Sequence, residues 1–178
     1  MEVAQNLGNF RIRLVCRLKP GNSGVDPLFD ALRSDGWNVD GLKLLKGGYE
    51  AEVLSSSLRG DEIIFSLKFT DAQTLDNFIR SAIQECWYID VYYHLRAESA
   101  KRAAETLGIE LNNRGIFRIE EADVSLKVES FPHAGALTIS YRVGWREINR
   151  NAVTKIHEKL LETRSTKSLL GKIIGWMK

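Results

Sequence analysis

Phe10-Arg11-Ile12-Arg13-Leu14-Val15-Cys16-Arg17-Leu18-Lys19 alternates apolar with basic side chains almost residue by residue. Wound into a helix, Ile12, Leu14, Cys16 and Leu18 would scatter around the axis. Extended, with a side-chain period of two, they share one face. The segment therefore predicts a strand with one face against a core. Arg11, Arg13, Val15, Arg17 and Lys19 stand on the other. A chain that begins this way must supply something to cover the apolar face, and leaves four cations in a row on the opposite one.

The cover is legible downstream. Lys19 to Gly24 breaks the chain, and Asp26-Pro27 supplies a capping side chain followed by a proline whose missing N–H costs nothing at the first helical position. A short helix is expected to end near Gly36. Trp37 to Gly48 shows no period. Tyr49 to Leu54 and Ile63 to Phe69 read as antiparallel strands joined by a polar turn over Ser55 to Asp61. Thr70-Asp71-Ala72-Gln73 matches a capping box in which Thr70 and Gln73 satisfy the first amides of a helix. Leu75, Phe78, Ile79, Ala82, Ile83 and Cys86 then form an apolar stripe at helical spacing. Ile89 to Arg96 returns to period two.

The order over residues 1–97 is βαββαβ, and the economical fold for that order is an α+β, ferredoxin-like sandwich: two helices on one face of a four-stranded antiparallel sheet. Residues 98–164 continue with a helix from Glu98 to Leu107 stopped by Gly108, strands near Phe117 to Ile119, Val124 to Val128 and Leu137 to Val143, and a helix from Trp145 to Arg164. That αββα half is expected to share the core. A tandem βαββα duplication and an unrelated extension both fit the order. Residues 165–178 form the third segment, an amphipathic basic helix.

Apolar residues at 44% and charged residues at 27% describe an ordinary globular chain, and a net charge of +2 means that basic character must be local. It is local at the carboxyl end. Residues 142–178 carry nine Lys or Arg against three Glu, a surplus of six, which leaves the rest of the chain at −4. On a helical projection from Trp145, Ile148, Ala152, Val153, Ile156 and Leu160 make the buried stripe, while Arg146, Arg150, His157 and Arg164 gather as an exposed ridge. Beyond it, Leu169, Leu170, Ile173, Ile174, Trp176 and Met177 fall on one arc and Lys167 and Lys172 on the other. This pattern gives the first functional reading: a small non-enzymatic binding or regulatory protein that engages another macromolecule through Arg146, Arg150, His157, Arg164, Lys167, Lys172, Ile173 and Trp176. The expected partner is another protein. Peripheral membrane contact and a second copy of the chain suit the same segment.

A second reading comes from the open face of the first strand. Arg11, Arg13, Arg17 and Lys19, joined by Lys68, Tyr92, His94 and Arg96 from neighbouring strands, interleave cations with rings as a surface for single-stranded RNA or DNA does. Glu50, Glu52, Glu62 and Asp90 reach the same face and would neutralise part of it. A third reading, ligand sensing or catalysis in a pocket between the two halves, draws on Trp87, Tyr92, Tyr93 and His94.

Other chemistries find no pattern. His94, His133 and His157 are isolated, no Cys-x-x-Cys occurs, and His157-Glu158-Lys159-Leu160-Leu161 has Leu where a zinc-binding helix needs its second His, so no metal and no cofactor is expected. Gly21-Asn22-Ser23-Gly24 lacks the Lys and hydroxyl of a phosphate loop, with Val25 and Asp26 in their place. No catalytic constellation is present, which points away from an enzyme. Cys16 and Cys86 read as small buried hydrophobes. The opening residues show no basic region followed by an apolar run, so a cytoplasmic protein is expected, at most resting on a membrane surface.

Overall fold

A computed structural model describes residues 10–19, 26–69, 71–110, 115–121, 124–144 and 152–162. The elements are β1 (Phe10–Leu18), α1 (Asp26–Ser34), β2 (Asn38–Asp40), β3 (Lys43–Lys46), β4 (Tyr49–Arg59), β5 (Glu62–Phe69), α2 (Ala72–Ala82), β6 (Cys86–Arg96), α3 (Ala97–Leu107), β7 (Gly115–Glu121), β8 (Val124–Phe131), β9 (Ala136–Gly144) and α4 (Ala152–His157). The last continues as a π-helical turn, Glu158–Glu162. The nine described strands form one antiparallel sheet in the order β2-β3-β4-β5-β1-β6-β9-β8-β7.

This α+β architecture corrects the ferredoxin-like expectation. A βαββαβ sandwich ends at four strands with the sixth strand of this chain on its edge. Here β6 is interior: it pairs with β1 on one side and with β9 from Tyr88 to Arg96 on the other. The sheet also grows past β4, because the aperiodic stretch after Trp37 forms β2 and β3 and zips onto it. The units are therefore not βαββα repeats. Starting from β1 and from β6, the halves run βαββββα and βαβββα, and the order β3-β4-β5-β1 is mirrored by β7-β8-β9-β6 across the β1–β6 junction.

Local details differ as well. β4 extends through the serines to Arg59, so the predicted seven-residue turn shrinks to Gly60-Asp61, with Gly60 at φ +61°, a two-residue hairpin conformation open to glycine. The α2 cap is Asp71 rather than Thr70: its carboxylate accepts from the Thr74 amide at 2.7 Å and from the Thr74 hydroxyl at 2.8 Å. Cys86 begins β6 instead of ending the α2 stripe. Gly108, in the left-handed region at φ +71°, closes α3 where expected.

The core sits on one side of the sheet. Ile12, Leu14, Cys16 and Leu18 of β1, Ile63, Phe65, Leu67 and Phe69 of β5, Ile89, Val91, Tyr93 and Leu95 of β6 and Leu137, Ile139, Tyr141 and Val143 of β9 are all buried. They form one continuous cluster with Leu28 and Leu32 of α1, Leu75, Phe78 and Ile79 of α2, Ala100 and Ala103 of α3 and Val153, Ile156 and Leu160 of the last helix. Burial of this apolar surface drives the fold. Trp37 anchors one corner, packing edge-on to Phe78 and donating from Nε1 to Ser81 Oγ at 3.0 Å. Ser81 in turn bonds the Asp35 carboxylate, which also pairs with Lys46. Ser81 first, then Lys46, holds that carboxyl below its ordinary range. Both cysteines are free and buried. The Cys16 thiol is pushed up by its hydrogen bond with Cys86 and by burial.

Candidate functional site

With every described helix on one face, the other face of the sheet is open among the described residues. Alternation assigns Arg13, Val15 and Arg17 of β1, Ile64, Ser66 and Lys68 of β5, Tyr88, Asp90, Tyr92, His94 and Arg96 of β6, and Thr138, Ser140 and Arg142 of β9 to it. Two regions of this face behave differently.

At one end the cations are spent on acids. Arg17 bonds Glu62 at 3.0 Å and Asp61 at 3.0 Å. Arg142 holds Asp90 with two bonds, Nε to Oδ1 at 2.8 Å and Nη2 to Oδ2 at 3.1 Å, and lies 3.7 Å over the Tyr88 ring. The Asp90 bond raises the Arg142 guanidinium's affinity for its proton. These are the cross-strand pairs expected of Glu62 and Asp90.

At the other end, Arg13 stands opposite Ser66 on β5 and Tyr92 on β6. Arg96 stands opposite Ala136, and His94 opposite Thr138. None of these neighbours is an acid. Among the described residues Arg13 and Arg96 have no ion pair, and Lys68 faces Glu52 in register without forming one. Ile12, Arg13, Ser66, His94 and Arg96 line a cleft of about 490 Å³. The Tyr92 and His94 rings stand parallel within 9°, centroids 6.2 Å apart. His94 Nδ1 contacts Thr138 Oγ1 at 3.2 Å. Burial, then Arg13 and Arg96, holds the His94 pKa below its ordinary value, so the ring is neutral at pH 7. The Tyr92 phenol is pushed up, by burial first and then by Asp90. Just past Arg96, Ala97 takes a left-handed φ of +51°, which turns the chain sharply into α3. Guanidiniums without acid partners, set beside upright rings, can hold an anion and stack a planar group.

The other residues singled out from the sequence lie elsewhere. Lys19 donates to the Gln84 carbonyl at 2.9 Å, beyond the face. Arg11 is a β1 residue in register with Lys68, but its side chain lies outside the described residues. His157 is buried rather than on an exposed ridge: its Nδ1 lies 3.0 Å from the Tyr93 hydroxyl, and its ring tilts against Phe69 and Tyr93. It follows Val153 by one helical turn and precedes Leu160 by another, a spacing that places it at the border of the buried stripe. Lys159 pairs with Glu121. Arg146, Arg150, Arg164, Lys167, Lys172, Ile173 and Trp176, with the whole predicted terminal helix, lie outside the described residues.

The described strand does not bring the four residues expected around a pocket onto one face: Tyr92 and His94 face out, Trp87 is exposed, and alternation sends Tyr93 into the core. Tyr93 stacks there on Tyr141, whose buried hydroxyl has no hydrogen-bond partner at normal geometry and whose pKa burial pushes well up. A second hollow, about 610 Å³ between the end of α3 and β7, is lined mainly by Leu107, Ile109, Ile116, Phe117 and Ile119, with Glu110 and Arg118 balancing in charge. Among the described residues no group of His, Cys, Asp or Glu is placed to hold a metal ion, and no helix is long and apolar enough to cross a membrane. Comparison of the chain with protein-family models, with curated proteins and with solved structures finds no match.

Proposed function

We propose that this protein binds single-stranded nucleic acid on the open face of its sheet, centred on β1 and β6. The observation that carries the reading is the grouping of Arg13, Arg96 and Lys68, free of ion pairs among the described residues, around the parallel Tyr92 and His94 rings on a face no described helix covers. Guanidiniums give phosphates bidentate, charge-assisted partners, and rings on a sheet surface accept unstacked bases without regard to sequence. A duplex offers its bases only at their edges, so the rings favour a single strand. The surplus of six positive charges in residues 142–178 attracts the same polyanion at longer range.

The test is fluorescence anisotropy of a labelled ten-nucleotide single strand, with its duplex as competitor, across a salt series. Three phosphate contacts predict a log–log salt slope of about −2. A flat slope, or a duplex that competes as well as the single strand, would overturn the proposal.

A further inference from the structure

Tyr92 and His94 are two residues apart on one strand, and same-face positions of a strand repeat every 6.6 to 6.8 Å, roughly. Successive stacked bases are about 3.4 Å apart, so a ring, a base and a second ring span about 6.8 Å. The two rings stand parallel within 9° with centroids 6.2 Å apart, about 0.6 Å short of that spacing, so a base would enter by a small outward movement of one ring. Thr138 contacts His94 from β9.

Resting on the nucleic-acid reading, we infer that the gap between Tyr92 and His94 is a slot for one nucleobase. Its phosphate lies over the cleft between Arg13 and Arg96. The placement follows from register: Arg13 is directly opposite Tyr92, and Arg96 is the next outward residue after His94. Ser66, lining the same cleft, offers a hydroxyl to the same phosphate. The slot holds a base by its faces, so it accepts purines and pyrimidines alike, and its recognition unit is a single nucleotide rather than a sequence.

The experiment compares a labelled ten-residue oligothymidylate with a ten-residue strand of abasic sites, which keeps the phosphates and removes the rings. Wild-type protein is expected to bind the thymidylate roughly tenfold more tightly. The Tyr92→Ala variant should lose that preference while still binding the abasic strand as wild type does, and Tyr92→Phe should restore it. Circular dichroism melting confirms that each variant folds. Equal binding of the two strands by wild type, or a preference that survives in Tyr92→Ala, overturns the slot and leaves the nucleic-acid reading standing. Binding of neither strand overturns both.

Discussion

The two ends of the open face use the same strands and the same residue types, and differ only in what stands across from each cation. Arg17 meets Glu62 in register and reaches Asp61 from the neighbouring hairpin turn; Arg142 meets Asp90. Arg13 meets Ser66 and Tyr92, and Arg96 meets Ala136. A chain of net charge +2 thus separates its arginines by register, neutralising Arg17 and Arg142 at one end and leaving Arg13 and Arg96 without acid partners at the other, where Lys68 faces Glu52 without pairing. Exposed ion pairs contribute little to stability, so under the proposed nucleic-acid binding the paired end limits where the polyanion settles.

Removing charge from each end should break the symmetry most visibly. Arg13→Ala with Arg96→Ala is expected to weaken oligonucleotide binding about 100-fold, since each guanidinium–phosphate bond is of the strong, charge-assisted kind. Arg17→Ala with Arg142→Ala should change it by about twofold at most, because those guanidiniums already have carboxylate partners. Anisotropy titrations at one salt concentration decide it, and comparable losses from the two double variants would dissolve the distinction between the ends. A smaller effect comes from copying the paired end onto the free one. Ser66→Glu puts an acid opposite Arg13 as Glu62 stands opposite Arg17, and roughly tenfold weaker binding is expected. Ser66 is a half-buried residue of the open face, so the variant's melting temperature should stay near wild type.

Much of this face is legible in the amino-acid sequence. Alternation alone separates Arg13, Arg17, Tyr92, His94 and Arg96 from Ile12, Leu14, Cys16 and Tyr93, because the side-chain period of a strand is fixed by backbone geometry. What alternation does not carry is partnership. That β6 pairs with β9 rather than ending the sheet depends on two segments some forty residues apart or more in sequence, and nothing local marks a strand as interior or edge. β2 and β3, three and four residues long, are too short to show a period. His157 stands four residues after Val153 and three before Leu160, at the border of the buried stripe, where a helical projection does not decide between core and solvent; packing against Phe69 and Tyr93 does. The acids that neutralise Arg17 and Arg142 are foreseeable as a set, but which cations they reach is decided by register.

His94 offers the finest discrimination between the two ends, through pH. In the free protein its pKa lies below the ordinary 6.5 because it is partly buried and flanked by Arg13 and Arg96; Tyr92 and Thr138 are its other close neighbours, and among the described residues no acid stands opposite it on β9. A phosphate seated over the arginines offsets their charge and draws the His94 pKa back up, so binding takes up a proton and must strengthen as pH falls below about 6.5. Stability runs the other way. The unfolded chain protonates this histidine first, so its contribution to folding is complete above pH 6.5 and declines as pH drops toward the folded value. Affinity rising a few-fold while the melting temperature drifts down is therefore the expected pair of curves between about pH 7.5 and 5.5, and His94→Gln should flatten the first. Other carboxylates and histidines contribute to the melting curve, so the affinity profile of the variant is the deciding measurement: if it keeps the wild-type slope, proton uptake occurs elsewhere and the anion does not sit between Arg13 and Arg96.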